Sequence, residues 1–181
     1  MPRTAAEYDS ADLDDSTDFD FSADPARLDL DRVHAWLADE SYWAMGRSRA
    51  AHEAAVAASR NYGIYDRASG AQLAYARVIT DGVTFAWLCD VFVDAEARGR
   101  GIGVALIERI MALLEPLGLR RIGLTTADAH GLYERFGFRP LDRPEQWMAR
   151  VDPSPSPEPI SDAAQAAPDS RRTASTTVSR P

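Results

Sequence analysis

Residues 84–114 read T-F-A-W-L-C-D-V-F-V-D-A-E-A-R-G-R-G-I-G-V-A-L-I-E-R-I-M-A-L-L. A β-rich apolar run, Thr84 to Val93, leads into a turn holding Gly99, Gly101 and Gly103. A helical pattern follows at once, with Val104, Ile107, Met111 and Leu114 at i, i+3, i+7 and i+10. Such a turn aims several backbone N–H groups at one point, at the positive end of a helix dipole. Glycine allows close backbone approach and positive φ. The stretch reads as a strand, a diphosphate cradle and a helix.

Two familiar cradles fail on residue identity. A Walker A loop ends in Gly-Lys-Ser/Thr, but Ile102 follows Gly101 and the chain contains no lysine. A dinucleotide fingerprint counted from Gly99 needs a third glycine at position 104, which is Val104. What stands is Arg98-Gly99-Arg100-Gly101-Ile102-Gly103. This resembles the R/Q-x-x-G-x-G/A pyrophosphate loop of the GNAT superfamily, the acetyl-CoA-dependent N-acetyltransferases. Val93 stands five residues before Arg98, as in that family's V-x-P-x-x-R run, with Ala95 in the proline's place. An ordinary strand-to-helix turn is the plain alternative.

The chain's 181 residues can hold one domain with a sizeable core, plus tails. Its net charge of −8 is uneven. Residues 1–24 carry −7, residues 152–181 carry −1, and the middle is neutral, so nothing points to a nucleic-acid surface. Cys89, the only cysteine, excludes an intrachain disulfide and sits mid-strand, as a buried inert thiol does. No secretory or membrane-spanning apolar run is found, so the expected place is the cytoplasm. No metal-ligand set is identified. Residues 1–17 are acidic and poor in apolar side chains, and residues 152–181 are rich in Pro, Ala and Ser. Both are expected to be disordered, leaving a folded domain over residues 18–151.

Within that domain, Asp18 to Ser22 is a candidate strand, and Asp29 or Asp31 starts a helix through Val33, Trp36 and Leu37. A second helix is expected from Arg49 to about Ser59. Tyr62 to Tyr65 and Gln72 to Ile79 read as an antiparallel pair, and Asp81-Gly82 turns into the Thr84–Val93 strand. Arg121 to Thr125 is a short strand, Asp128 to Phe136 a short helix closed by Gly137. Phe138 to Leu141 and Gln146 to Val151 are expected as final strands. The order β α α β β β α β α β β predicts an α+β fold with a mixed, mostly antiparallel sheet.

That is the GNAT order, and a second motif joins it. Asp128-Ala129-His130-Gly131-Leu132-Tyr133-Glu134-Arg135-Phe136-Gly137-Phe138 resembles the family's A-x-x-L-Y-x-x-x-G-F segment. The resemblance covers residues 18–151 and implies helices on both sheet faces and a wedge between strands four and five. Residues 42–48, Tyr-Trp-Ala-Met-Gly-Arg-Ser, also resemble a segment of a small bacterial branch that brings no defined substrate.

The resemblance implies acetyl-CoA as acetyl donor and a small-molecule or peptide amine as acceptor, joined by direct attack in a ternary complex. An acetyl-CoA sensor without turnover is the competing class. The pyrophosphate would lie on Arg98, Gly99, Arg100, Gly101, Ile102 and Gly103, and the pantetheine arm along Val91, Phe92 and Val93. Tyr133 stands at the family's sulfur position, as acid for the leaving thiolate or as a packed ring. The family's asparagine seven residues earlier is Thr126, which can equally cap a helix, so that contact is not carried over. Asp90, a carboxylate in an apolar strand, is either a general base or a structural acceptor. His130, one helical turn from Tyr133, is the rival base or a surface residue, and water is the third route. Tyr42, Trp43 and Arg47 can line the acceptor pocket, Arg47 meeting a substrate carboxylate, or serve packing and solvation. The acceptor's identity and the oligomeric state, a homodimer included, stay open.

Overall fold

In the computed structural model, residues 18–150 are described. The tail expectations for residues 1–17 and 152–181 lie outside them.

Five strands lie in the order of the chain: β1 (Phe19–Ser22), β2 (Arg60–Asp66), β3 (Gln72–Thr80), β4 (Phe85–Val93) and β5 (Arg121–Gly123). All neighbours are antiparallel except β4 and β5, which run parallel because helix α3 (Ile102–Leu114) crosses between them. On one face, Ala74, Ala76, Val78, Ala86 and Leu88 pack against Ile102, Leu106, Ile107, Ile110 and Leu114 of α3. The buried stripe of α3 starts at Ile102 and leaves Val104 and Met111 half-buried, a small rotation from the expected face. Helix α4 (His130–Glu134) joins this layer through Leu132 and Tyr133.

The other face is covered by α1 (Leu30–Ala35), capped by the Asp29 side chain, which accepts from the Arg32 N–H. A wider turn, Trp36–Glu40, continues it, and Trp36 and Leu37 pack with Val33 on Tyr75 and Phe92. Helix α2 (Arg49–Ala57) is capped by Ser48, which accepts from the Ala51 N–H. The turn into β4 is tied by Asp81, whose Oδ1 accepts from the N–H groups of Val83, Thr84 and Phe85.

β4 carries a bulge that positions the site. Tyr75 pairs with Phe92 and Arg77 with Cys89, so Ala76 faces both Asp90 and Val91. Asp90 adopts φ +54, the only positive φ among the described residues that are not glycine. The extra residue resets the alternation of sides. Leu88 faces α3 before the bulge and Val91 and Val93 face it after, while Asp90 and Phe92 turn to the α1 side.

The two final strands expected after α4 are not formed: among the described residues no strand follows β5. Pro140 removes a ladder donor from the first of them, and Leu141, Trp147 and Met148 stay exposed instead of packing against a layer. A 3₁₀ turn, Pro144–Gln146, occupies part of that stretch.

Candidate functional site

The parallel pairing of β4 and β5 covers only Phe85 with Arg121, Ala86 with Ile122 and Trp87 with Gly123. From Leu88 to Val93, β4 runs on without a strand on that side among the described residues. The opening lies between β4 and the start of α4.

At the end of β4 the chain makes a short turn, Ala95–Ala97, tied by Asp94, and enters the glycine loop. Gly99 and Gly101 adopt φ +77 and +79, and Gly101 directly precedes α3. The first helical bond runs from the Ala105 N–H to the Gly101 carbonyl. No acceptor among the described residues reaches the N–H groups of residues 99–104. A run of free donors at the positive end of a helix thirteen residues long can receive an anionic group. A Cβ on Gly101 would meet nothing within 4 Å, so glycine is needed there for backbone conformation, not for space inside the fold. At Gly103 a Cβ would stand 3.5 Å from Val93 and 4.0 Å from Leu132, so the loop, the β4 end and α4 meet at this point. Arg98 is exposed and tied back to the strand: its Nε donates to the Val93 carbonyl at 3.1 Å and its guanidinium lies over Phe92. Arg100 is exposed.

Tyr133 is 7% exposed, with its ring edge-on to Phe138. Burial first, then Asp128 and Tyr42, push its hydroxyl up to about 12, so it stays protonated at neutral pH. His130, at the start of the same short helix, is exposed; the i, i+3 spacing does not bring both side chains into one buried space. Thr126 accepts from the Ala129 N–H at 3.0 Å and so caps α4.

Asp90 is placed differently from a free base. Its side chain is 3% exposed and its two oxygens take three charged donors. Arg47 donates from Nη1 to Oδ2 at 2.5 Å and from Nη2 to Oδ1 at 3.0 Å. Arg77 donates from Nε to Oδ2 at 2.6 Å. Burial raises the pKa of this carboxyl, but the bonds from Arg47 and Arg77 outweigh it and hold it below the ordinary carboxylate range. The arrangement makes a weak base and a strong anchor. Arg77 escaped the sequence reading; the signal for it was a charge inside the apolar strand Leu73–Ile79. His52, 1% exposed and with neither ring nitrogen partnered, escaped as well.

The loop between α1 and α2 reaches the segment before α4. Tyr42 and Trp43 are 37% and 43% exposed and meet edge to face. The Ala127 N–H donates to the Tyr42 hydroxyl at 3.0 Å, linking this loop to the segment that enters α4. Arg47 follows on the same loop, and its carbonyl accepts from His34 Nε2. Among the described residues no helix is long and apolar enough to cross a membrane.

Comparisons with known proteins agree with this geometry. Residues 52–140 match the family described as "Acetyltransferase (GNAT) domain". A Gibberella zeae protein whose name assigns it as an acetyltransferase is 31% identical over 134 residues, which is 64% of this chain and 76% of that protein. A solved structure of a protein assigned to the GNAT family, from Xanthomonas campestris pv. campestris, is 42% identical with a TM-score of 0.71. It covers 75% of this chain and 94% of its own. The chloroplastic serotonin N-acetyltransferase 2 of Oryza sativa subsp. japonica is 37% identical over 71 residues, 39% of this chain and 36% of that protein. A five-stranded sheet opened beside β4, a row of free N–H groups at the start of α3, and these likenesses place the chain in the GNAT acetyltransferase family, as an acyltransferase.

Proposed function

We propose that this acyltransferase moves an acetyl group from acetyl-CoA to a primary amine by direct attack within a ternary complex. The observation that carries the reading is the run of unpaired N–H groups at residues 99–104, set beside the unpaired stretch of β4. The donors fit a diphosphate: they are backbone groups at a helix start, flanked by the exposed Arg98 and Arg100. Acetyl-CoA would supply an acyl group already activated as a thioester.

This chain's part is then positioning, polarisation and one proton. The edge of β4 at Val91, Phe92 and Val93, which β5 does not cover, holds an extended amide chain as a neighbouring strand would. A backbone N–H of this edge polarises the acyl carbonyl. Tyr42, Trp43 and Arg47 bound the acceptor's approach from the α1–α2 loop. The amine nitrogen forms a bond to the acyl carbon as the carbon–sulfur bond breaks. Tyr133 gives its proton to the departing sulfur and recovers one from solvent. The nitrogen's surplus proton leaves to water. We assign Asp90 to hold Arg47, Arg77 and the bulge in place, and His130, exposed, to no proton transfer.

The test is thiol release from acetyl-CoA across an amine panel, with calorimetry on the same protein. Tyr133→Phe keeps the ring, so turnover should fall by roughly 10²-fold while acetyl-CoA affinity holds. Tight acetyl-CoA binding with no acetylated amine in any assay would overturn transfer in favour of sensing; no binding would overturn the cradle.

A further inference from the structure

The strongest unexplained feature is the charge around Asp90. Two guanidiniums converge on one carboxylate, and Arg47 and Arg77 are only 19% and 13% exposed. Among the described residues, no second carboxylate bonds either arginine. Cys89 is kept a neutral thiol, pushed up to about 11 mainly by burial. The Tyr75 hydroxyl donates to Asn61 and is pushed up by burial, so it too is neutral. His52, facing Arg47 from α2, is held towards its neutral form, by burial first. His34 donates to the Arg47 carbonyl and offers no anion. The carboxylates of Asp31 and Glu53 are taken by Arg49. One positive charge is left over in a largely desolvated place, which is costly unless an anion comes to it.

The surplus has a direction. Arg47 binds Asp90 through Nη1 and Nη2, and its Nε has no partner among the described residues. Arg77 uses Nε for Asp90 and Nη1 for the Ser59 hydroxyl, leaving Nη2. These donors sit on the sheet face away from α3, so an anion there would not compete with one at the glycine loop. Arg47 lies on the loop that carries the exposed Tyr42 and Trp43, and Arg77, on β3, pairs with Cys89 just past Trp87, where β4 leaves β5.

The geometry points to an acceptor that carries a carboxylate as well as its amine, an amino acid in chemical class, with Arg47 and Arg77 receiving the acid group. This rests on the amine-acetylation reading above and narrows it. The Arg47–Asp90–Arg77 cluster is then a preformed half-site. Asp90 fixes the two forks at low entropic cost and leaves one charge for the ligand. An uncharged amine finds no compensation for that charge and is discriminated against. A phosphate on the acceptor would use the same chemistry, so the test separates the two.

Binding is read apart from turnover. The full-length protein with CoA is titrated, by calorimetry, with N-acetyl derivatives of the common amino acids, each against its methyl ester and against N-acetyl-phosphoethanolamine. At least one free acid should bind tenfold or more tighter than its ester. Arg47→Gln should bring that ratio close to one, and Arg47→Lys should keep part of it. Melting curves of each variant check the fold, which Arg77, donating to Asp90 in the wild type, is expected to keep. Equal affinity of every acid and its ester, or no binding of any, overturns the proposal. Preference for the phosphate probe over every acid overturns the carboxylate assignment. Selective acid binding without acetylation of the matching amine would instead sink the catalytic reading and leave this one standing.

Discussion

Replacing Asp90 by asparagine removes one charge and almost nothing else. Asparagine tolerates the left-handed region, so φ +54 carries little new cost. What remains is two guanidiniums facing each other across an amide that can offer one oxygen where two stood. Breaking a buried pair by removing one partner costs about 3–5 kcal/mol. Arg47 and Arg77 keep some contact with water, which sets the expectation at the low end, about 3 kcal/mol. For a chain of 181 residues that is a fall in melting temperature of roughly 6–12 °C. Urea unfolding at pH 7, read by far-UV circular dichroism, measures it. Alanine and glycine at the same position separate backbone from charge. Both lose the carboxylate, but alanine also pays for positive φ, so it should be less stable than glycine by about 1 kcal/mol. The sign with pH follows from the depressed carboxyl. Its contribution is complete above the ordinary carboxylate range and is lost as pH falls through the lower folded value. The gap between wild type and Asp90→Asn should therefore close in acid. A variant within about 1 kcal/mol of wild type at pH 7, or a gap that widens in acid, would refute the ion-pair account.

Gly101→Val should weaken acetyl-CoA binding by conformation, since its Cβ meets nothing within 4 Å, and Gly103→Asp by repelling phosphate; calorimetry should find both at least tenfold weaker. His52, buried and unpartnered, is held towards its neutral form by burial. The unfolded chain binds the proton more readily, so stability should be full above about pH 6.5 and decline as pH falls below it. His52→Leu should flatten that slope, read by urea unfolding at pH 5 and pH 7. A chain trimmed to residues 18–151 should keep the melting temperature and acetyl-CoA affinity of the whole, because all the packing described lies inside it.

The readable parts of this protein are those encoded within a few residues. Gly99 and Gly101 announce positive φ, Asp29 announces a helix start, and the apolar runs of β3 and β4 announce buried strands. Local code also carries the order of elements as far as α4. The bulge was not readable, because Asp90 is held by Arg47 and Arg77, which lie 43 and 13 residues away in sequence. A carboxylate alone in an apolar strand is equally consistent with a base and with an anchor; only its partners decide. The last two strands failed for the opposite reason. A strand needs a neighbour as well as suitable residues, and Pro140 removes a donor from the first of these two stretches.

The kink at Asp90 has a bearing on how this protein behaves in a crowded solution. A straight strand with an unpaired side is a template on which another copy can add a strand, and from there an aggregate can grow. Among the described residues β4 has such a side from Leu88 to Val93, and this stretch is strongly apolar. The bulge breaks that row near its middle, so an incoming strand cannot keep register past it. The distortion that turns a carboxylate towards its arginines thus also guards an edge that has to stay open.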